Sequence, residues 1–528
     1  STGPAPDRPF GATVRTEAGS YGLDKTWLRV AGRQGSLSGR LDASRLDMKG
    51  FREHSAVRIT GVQGILRYAL PSGALITVRA AHTDAPRADN PGALTAQELA
   101  TDPSAAAPNN LARDAGKDVS QDQASVALKV FGPNGAETQV AVFGFQRDLR
   151  NPIATGTLIE IGRRAGGIRF TAARAVTRRA ESPRVVAGFD LQRMRDDRRN
   201  RLTTVPADSI QVDQREIVTE LGPFAELLWP VDRRWMLSAG ARYDRITFDV
   251  EDHHLTDGSD ESGSRTMAAL SGSAGLSYLV SRRLTVYANA GTAFETPTTT
   301  ELANQPGGSG GFNRSLGPQR AVSLEIGGRG TAGRWIRFSV AAYLNRIRDA
   351  IVQFQEAGGR AYFRNAGRLN NDGFEAGITV VPTGRLALSA AYTWAHYRFA
   401  DYVVVSGAAA DTLDGRTLPG VPEHFVRLEA RASPGAGAWI LADYTVSSAV
   451  WADDANTLRA GGWGIADLSL TWPVRLDQWT LELTAGVTNL FDRSYVSSVT
   501  VNGFNGRVFE PGEDRTWYGG VRITAGSN

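Results

Sequence analysis

The feature that most constrains this chain is a hydrophobic alternation with a period of two residues. In residues 479–488 one side of the repeat carries Trp479, Leu481, Leu483, Ala485 and Val487. The intervening positions hold threonine, glutamate and glycine. Residues 385–394 and 37–44 repeat the pattern. Since side chains of a strand alternate between two faces, each segment predicts a strand with one apolar face, and about ten residues suit a tilted membrane strand.

The connections between these segments alternate in length. Every second connection is short and rich in the residues that tight hairpins need. These short turns are GRQG (32–35), PSG (71–73), GPNG (132–135), RRAESP (178–183), PVDR (230–233), SRR (281–283), GTAG (330–333), PTG (382–384), SPGAG (433–437) and PVRLDQ (473–478). The intervening connections are mostly long: 85–120, 195–214, 251–265, 295–318, 398–420 and 492–513. One end of the sheet should therefore carry short turns and the other long loops.

Together these patterns predict an all-β fold, a transmembrane antiparallel up-and-down β-barrel of about 22 strands with short periplasmic turns and long extracellular loops. Closure leaves no unpaired strand edge, which a sheet in lipid requires. We expect a short polar lead over residues 1–10 and one barrel domain over residues 11–528. A soluble propeller is the alternative, but the sequence lacks the internal repeat of about 40–50 residues that propeller blades show.

The alternation also predicts which side chains face lipid. In the first strand we place Val14, Thr16 and Ala18 on the lipid face, and Arg15 and Glu17 on the lumen face. Further lumen residues are predicted to be Arg40, Asp42, Asp443, Thr445 and Ser447. Aromatic residues predicted for the interfacial girdles are Tyr392, Trp394, Trp439, Tyr444 and Trp517.

Composition excludes several function classes. The chain contains no cysteine, which removes disulfides, thiol catalysis and cysteine metal sites. The 59 lysine and arginine residues are dispersed and leave a net charge of only +4, so no nucleic-acid partner is expected. The six histidines are scattered along the chain. We therefore predict a protein that is not an enzyme and needs no cofactor.

Two loop segments contain side chains that can ligate metal ions. His253 and His254 follow Glu251 and Asp252, and such side chains can ligate transition metals. Adjacent residues of an extended loop point apart, so a solvated loop tip is the favoured interpretation. DGSDESGS (257–264) offers carboxylates for calcium, but its spacing is not that of an EF-hand, and a flexible acidic loop is favoured. No metal site is predicted.

Three other segments have both a functional and a structural interpretation. QPGGSGGFN (305–313) lacks the lysine of a phosphate-binding loop and indicates a flexible loop. RMRDDRRNR (193–201) is interpreted as a charged outer rim at a strand-to-loop junction, available to lipopolysaccharide or an anionic ligand. LTAQELATD (94–102) predicts a short helix. That helix has two interpretations, a lid and ordinary loop packing, and we favour the packing.

Five segments, in order along the chain, resemble the TonB-dependent outer-membrane receptor family. They are MKGFREHSA (48–56), ANAGTAFETPTTTEL (288–302), NRSLGPQRAVSLEIGGRG (313–330), AGVTNLFDRSYV (485–496) and EDRTWYGGVRI (513–523). The resemblance implies a 22-stranded barrel in the outer membrane of a Gram-negative cell, occluded in the family by an N-terminal plug. It also implies import of a ferric siderophore, haem, cobalamin or glycan, driven by TonB–ExbB–ExbD through a box ahead of the plug.

The chain departs from the family pattern at both ends. We expect the plug and its box to be absent from these residues, so coupling to TonB depends on a segment upstream. The family usually ends on an aromatic residue that the barrel-assembly machinery reads, whereas Ala525 stands near the end here. Lipid, lipopolysaccharide, that machinery and a small extracellular ligand are the expected partners of a monomer; individual ligand-binding residues are not predicted.

Three functions follow from this interpretation. The leading hypothesis is a transport barrel for active uptake of a ferric siderophore or a similarly scarce ligand, in combination with a plug. The alternative is a plugless passive diffusion pore. A weaker alternative is a barrel-borne enzyme or a surface adhesion protein.

Overall fold

The computed structural model describes residues 9–177, 181–203, 209–306, 309–354, 362–406, 409–476 and 479–526. The barrel strands in chain order are β1 Phe10–Gly19, β2 Leu23–Gln34, β3 Leu37–Met48, β4 Val57–Ala69, β5 Leu75–Asp89, β6 Gly116–Phe131, β7 Glu137–Pro152, β8 Thr157–Ala175, β9 Arg184–Leu202, β10 Ser209–Pro230, β11 Trp235–Asp252, β12 Gly263–Ser281, β13 Leu284–Glu295, β14 Gln319–Ala332, β15 Ile336–Phe354, β16 Tyr362–Thr383, β17 Leu386–Ser406, β18 His424–Gly435, β19 Ala438–Ser447, β20 Trp463–Leu476, β21 Trp479–Thr488 and β22 Thr516–Gly526.

These strands form a closed barrel. Each strand pairs antiparallel with the strand that precedes it and the strand that follows it in sequence. Strand β22 pairs with β1, in a register that runs from Gly11 opposite Gly526 to Gly19 opposite Tyr518. Within the described residues the circuit contains 22 strands, as the sequence predicts. Every backbone group in the circuit can thus find a partner without a free edge.

Smaller elements occupy the connections. Two short α-helices, α1 Ala96–Thr101 and α2 Pro108–Ala112, lie between β5 and β6. Short strands lie in three outer loops: Ala409–Thr412, Val450–Trp451, Arg459–Ala460, Val496–Val499 and Phe509–Pro511. Single 3₁₀ turns are Ser20–Gly22, Pro133–Gly135, Leu255–Asp257 and Phe504–Gly506. Among the described residues, no helix is both long and apolar enough to cross a membrane.

The two ends of the barrel differ as the sequence predicts. Residues 35–36, 70–74, 282–283 and 436–437 are examples of the short turns at the inner end. Residues 178–180 and 477–478, in two of the predicted turns, lie outside the described residues, as do residues 1–8 of the predicted lead. The outer end carries long loops, among them 90–115, 296–318 and 489–515.

The strands extend further into the predicted long loops than the sequence indicated. Strand β9 continues to Leu202 and β10 begins at Ser209, so most of the predicted loop at 195–214 is sheet, and residues 204–208 are not described. RMRDDRRNR (193–201) therefore lies inside β9 and not at a strand-to-loop junction. The prediction failed because both faces of a strand are wet beyond the bilayer, so the apolar alternation disappears there although the backbone pairing continues.

The predicted faces of the first strand are confirmed. Val14 is 42% exposed on the outside, and Thr16 and Ala18 share its face. Arg15 and Glu17 form an ion pair on the opposite face, which lines the lumen. The predicted lumen residues on other strands follow the same rule: Arg40, Asp42, Asp443, Thr445 and Ser447.

Four of the five predicted girdle residues lie on the outward face. Trp517 is 58% exposed and Tyr444 is 40% exposed, and Tyr392 and Trp394 share the outward parity of β17. Trp439 is the exception, because it has the same parity in β19 as the lumen residues. Its ring lies 4.2 Å from the Arg431 guanidinium on the inner wall. The prediction was wrong for Trp439 because nearness to a strand end does not determine the face.

Candidate functional site

The lumen wall of β8–β11 is lined by ion pairs that share partners. Asp190 is 8% exposed and accepts hydrogen bonds from Arg169, at 2.5 Å, and Arg242, at 2.9 Å. Arg242 also donates to Asp244 at 2.7 Å and to Glu220 at 3.2 Å. Each charge has a fixed partner, and the two guanidinium groups are shared among three carboxylates.

A second group of paired charges lies further toward the outer end. Asp196 is 1% exposed and accepts two hydrogen bonds from Arg163, at 2.8 and 2.6 Å. Glu216 is 2% exposed and accepts from Gln214 at 2.6 Å and from the hydroxyl of Thr299. Thr299 belongs to the loop 296–318, so this contact joins that loop to the barrel wall. The loop closes over the inner face of β10 and excludes water from the carboxylate.

The outer loops are held by small apolar cores. Three clusters of buried side chains occur among the described residues: Phe248, Val250, Met267, Leu302, Phe312 and Leu316; Ala452, Ala460, Val508 and Phe509; and Phe399, Tyr402 and Leu413. The first joins loop 296–318 to β11 and β12. The second joins loops 448–462 and 489–515, and Leu99 of α1 packs against it. The barrel mouth is consequently framed by packed segments.

Helix α1 is fastened to loop 489–515 by a charged clasp. Thr95 caps the helix, accepting from the Glu98 backbone N–H at 3.2 Å and donating its own backbone N–H to the Glu98 carboxylate at 3.0 Å. Arg507 donates two hydrogen bonds of 2.7 Å to the two oxygens of Glu98. Burial raises the pKa of Glu98, but the hydrogen bonds from Thr95 and Arg507 outweigh it and hold that pKa below its usual value. The clasp therefore favours the ionised carboxylate.

Another contact of the same loop pair is made by Arg52, which is 7% exposed. Its guanidinium lies 3.0 Å from the Glu510 carboxylate and donates to the Ala105 carbonyl at 2.8 Å. Three outer connections, 49–56, 90–115 and 489–515, are thus tied together. Nearby, desolvation and the charge of Asp514 raise the pKa of Glu513.

Loops 413–423 and 448–462 are joined by Asn456. Its amide donates to the Thr417 carbonyl at 2.9 Å and accepts from the Thr417 backbone N–H at 2.8 Å. Asp453 shapes the same turn by accepting from the backbone N–H groups of Thr457 and Leu458, at 2.9 and 2.7 Å. Asn456 adopts a φ of 55°, a left-handed conformation that asparagine tolerates better than most residues.

The histidine pair does not converge on one point. His253 Nε2 lies 3.9 Å from Glu251, whereas His254 Nδ1 lies 3.8 Å from Asp257. In the part of the chain that the structure describes, no group of three or more His, Cys, Asp or Glu side chains could hold a metal ion. In the segment 257–264, Asp257 and Asp260 accept hydrogen bonds from the backbone of Ser259 and Ser262, so these carboxylates shape a turn.

The structure also shows where two other predicted loop segments lie. LTAQELATD (94–102) contains α1, which confirms the predicted helix, and Glu98 of this helix accepts hydrogen bonds from Arg507 of loop 489–515. In QPGGSGGFN (305–313), residues 307–308 are not described, whereas Phe312 and Asn313 are buried. Asn313 donates to the Phe363 carbonyl at 2.9 Å, so this end of the segment is anchored.

Sequence reasoning missed the residues that fasten the loops. Glu98 and Arg507 are 409 positions apart, and no local pattern indicates such a pair. One signal was readable, because Thr95 and Glu98 have the Thr-x-x-Glu spacing of a capping box. The partner of Glu98 depends on how the loops pack.

Residues 162–490, more than half of the 528 residues, match the family described as TonB dependent receptor-like, beta-barrel. The chain belongs to this family. A ferrioxamine receptor of Yersinia enterocolitica is 27% identical over 270 residues, which is 50% of this chain and 34% of the relative. The chain therefore matches about a third of the length of that curated relative.

Solved structures give the same fold for the receptor barrel. The ferric citrate transporter FecA has a TM-score of 0.84 at 17% identity, with 99% of this chain and 79% of FecA covered. The ferric yersiniabactin uptake receptor FyuA of Yersinia pestis has a TM-score of 0.79 at 15% identity, with 99% and 81% covered.

Family membership fixes the general class of the protein. The family and its structural neighbours are receptors and transporters, not enzymes, which confirms the prediction from composition. Receptors of this family bind extracellular siderophores and interact with TonB. A large barrel of this type implies a protein of the outer membrane.

Proposed function

We propose that this receptor barrel, in combination with a plug, takes up a ferric siderophore or a similarly scarce ligand by TonB-driven active transport. The observation that carries the proposal is the similarity to the ferrioxamine receptor, which extends over half of the chain. Ferrioxamine is a siderophore, so ferric hydroxamates are the first ligands to test.

The architecture supports a path for a polar ligand. The packed outer loops frame a mouth, and below it lies a lumen wall of paired charges such as Asp190 with Arg169 and Arg242. A wall of this kind offers a hydrophilic complex paired polar groups of both signs. A barrel of 22 strands has a lumen too wide to discriminate by diameter alone, so the proposal assigns selection to the loops and the plug.

An uptake assay tests the proposal. The natural full-length gene product is expressed in a Gram-negative strain that lacks its own siderophore receptors, and radioactive iron is supplied as ferrioxamine. We expect accumulation that saturates and that stops when tonB is deleted. Iron accumulation that is unchanged by tonB deletion would contradict active transport.

The passive-pore hypothesis predicts a different conductance in planar bilayers. A receptor closed by a plug gives little steady conductance, whereas an open 22-stranded barrel conducts ions continuously. A large and steady conductance from the natural full-length product would overturn the proposal in favour of the pore.

A further inference from the structure

We propose that Asn505, at the tip of outer loop 489–515, is a site of spontaneous deamidation that converts its side-chain amide into a carboxylate. The product is aspartate or isoaspartate, and its charge lies two residues from Arg507 of the clasp. The reaction concerns the outer loops alone and is independent of the ligand that the barrel transports.

Asparagine followed by glycine is the sequence that favours this reaction. The backbone nitrogen of the glycine attacks the asparagine Cγ, the side-chain nitrogen leaves as ammonia with the proton of the attacking nitrogen, and a succinimide ring forms. Water then cleaves one of the two ring C–N bonds, giving aspartate when the bond to Cγ breaks and isoaspartate when the main-chain bond breaks. Glycine has no Cβ to obstruct the attack. The chain contains three such pairs: Asn134–Gly135, Asn502–Gly503 and Asn505–Gly506.

Exposure and backbone conformation do not distinguish the three asparagines. The side chains of Asn134, Asn502 and Asn505 are all exposed to solvent. Their φ angles are 58°, 55° and 56°, so all three adopt the left-handed conformation. Ring closure requires the peptide plane after the asparagine to rotate, so each turn has to open before it reacts. The contacts that hold each turn closed therefore determine the rate.

Asn502 is held closed by hydrogen bonds to a neighbouring loop. Its side-chain oxygen accepts from the Asp454 backbone N–H at 3.0 Å, and its amide nitrogen donates to the Asp454 carboxylate at 2.9 Å. The attacking nitrogen is also engaged, because the Gly503 N–H donates to the Thr500 carbonyl at 3.2 Å. Ring closure at Asn502 has to break these three bonds.

Asn505 lacks these restraints. Its side chain forms no hydrogen bond with any residue in the described ranges. A methyl group in place of the Gly506 hydrogen would meet no atom within 4 Å, so the space around the attacking residue is open. The preceding Phe504 is 84% exposed. The tip therefore projects into solvent and can open without loss of packing.

Asn134 is an intermediate case at the inner end of the barrel. Its side chain, like that of Asn505, has no hydrogen-bond partner in the part of the chain that the structure describes. The Gly135 carbonyl, however, accepts from Arg184 at 3.3 Å, and Pro133 has a fixed φ. This turn opens less readily than the outer tip. The expected order of rates is Asn505, then Asn134, then Asn502.

Deamidation of Asn505 affects the clasp between α1 and loop 489–515. Arg507 donates two hydrogen bonds of 2.7 Å to Glu98, and a new carboxylate two residues away competes for the same guanidinium. Isoaspartate also inserts a methylene group into the main chain of the tip. Both changes weaken the hold of loop 489–515 on α1, so this part of the barrel mouth loosens as the protein ages.

The test measures deamidation at all three sites in one sample. The purified full-length protein is incubated in detergent at mildly alkaline pH and then digested in acid, which suppresses further reaction. Mass spectrometry of the peptides gives the rate at each asparagine. Asn505→Gly is the matched control, because glycine keeps the left-handed conformation and cannot form the ring. Asn505→Asp supplies the charge of the product without ageing.

We expect Asn505 to deamidate roughly ten- to a hundred-fold faster than Asn502, because each hydrogen bond at Asn502 slows opening by up to about ten-fold. In protein unfolded by urea the two outer pairs should react at similar rates, since the folded restraints are gone. Hydrogen exchange of residues 95–102 should rise in the aged parent and in Asn505→Asp. It should not rise in aged Asn505→Gly.

Three results would overturn the proposal. One is equal rates at Asn505 and Asn502 in the folded protein. Another is a rate ratio that persists unchanged in urea, which would attribute the difference to local sequence and not to the fold. The third is unchanged hydrogen exchange of residues 95–102 in Asn505→Asp, which would refute the effect on the clasp. Failure of siderophore uptake would leave all three measurements unaffected.

Discussion

The outer loops and the inner turns join the same strands, yet different contacts hold them in shape. Loop 296–318 buries Leu302 and Leu316 at 0% and 1% exposure, so it has a core of its own. The inner turn after β10 leaves Val231 43% exposed and is closed by Asp232, which accepts from the Arg234 backbone N–H at 2.6 Å. The outer end is therefore stabilised by long-range packing, and the inner end by local backbone geometry.

The largest expected effect comes from a cavity in an outer cluster. Leu302→Ala should destabilise loop 296–318 by about 2–5 kcal/mol, because a fully buried leucine is truncated. Hydrogen exchange of residues 296–306 should accelerate while the barrel strands keep their protection. Val231→Ala at the inner end is the control and should change stability by less than about 0.5 kcal/mol. Equal losses of stability from Leu302→Ala and Val231→Ala would contradict the claim that the two ends are stabilised differently.

Replacing asparagine by glycine at the outer and at the inner end of the barrel should give a difference in stability of intermediate size. Asn456 and Asn134 have φ angles of 55° and 58°, so glycine relieves backbone strain at both. Asn456→Gly also removes the two hydrogen bonds with Thr417 and should cost about 1–3 kcal/mol locally. Asn134→Gly, in an inner turn, should change stability by less than about 0.5 kcal/mol. Proteolysis of the folded protein at loop 448–462 measures the difference, which should vanish if the Thr417 bonds contribute nothing.

The smallest expected effect is a loosening of the clasp in acid. The pKa of Glu98 is lowered in the folded protein, so its stabilising contribution is complete above the unfolded value, about 4.3. The contribution is lost as the pH falls through the lower folded value. Since the pair is about a third exposed, we expect at most about 1 kcal/mol.

Hydrogen exchange of residues 95–102 should therefore rise below about pH 4. Glu98→Gln should remove this pH dependence while the inner turns respond identically in both proteins. An unchanged acid response in Glu98→Gln would show that another group controls the loop. Protonation of Glu513 should have the opposite effect on stability. Its pKa is raised in the folded protein, so acid removes an unfavourable negative charge.

The membrane-spanning part of the fold could be predicted because one physical rule governs it. Side chains of a strand alternate between an apolar face toward lipid and a polar face toward the lumen. Residues 479–488 were predicted as a strand, and β21 has the same bounds. The rule holds where lipid lies on one side and water on the other. It fails above the membrane, where Asp196 faces the lumen, Asp197 faces the outside, and each pairs with an arginine.

The contacts of the candidate site were harder to predict. The Thr95–Glu98 capping box is a local pattern and could be read, but Arg507 comes from a loop far along the chain. Likewise Leu302 and Leu316 are ordinary loop leucines until Phe248 and Met267 of the barrel wall cover them. Such contacts depend on the packing of the loops, which a single sequence does not encode in any repeating pattern.

The seam between β22 and β1 has a consequence for how the protein is made. It joins residues such as Thr13 and Thr524, which are 511 positions apart. Until the last strand arrives, every partly assembled sheet has two free edges, and a slow step of high contact order remains. Deletion of the final strand should therefore not give a slightly smaller barrel. It should give an open, aggregation-prone sheet that quality-control proteases remove during biogenesis.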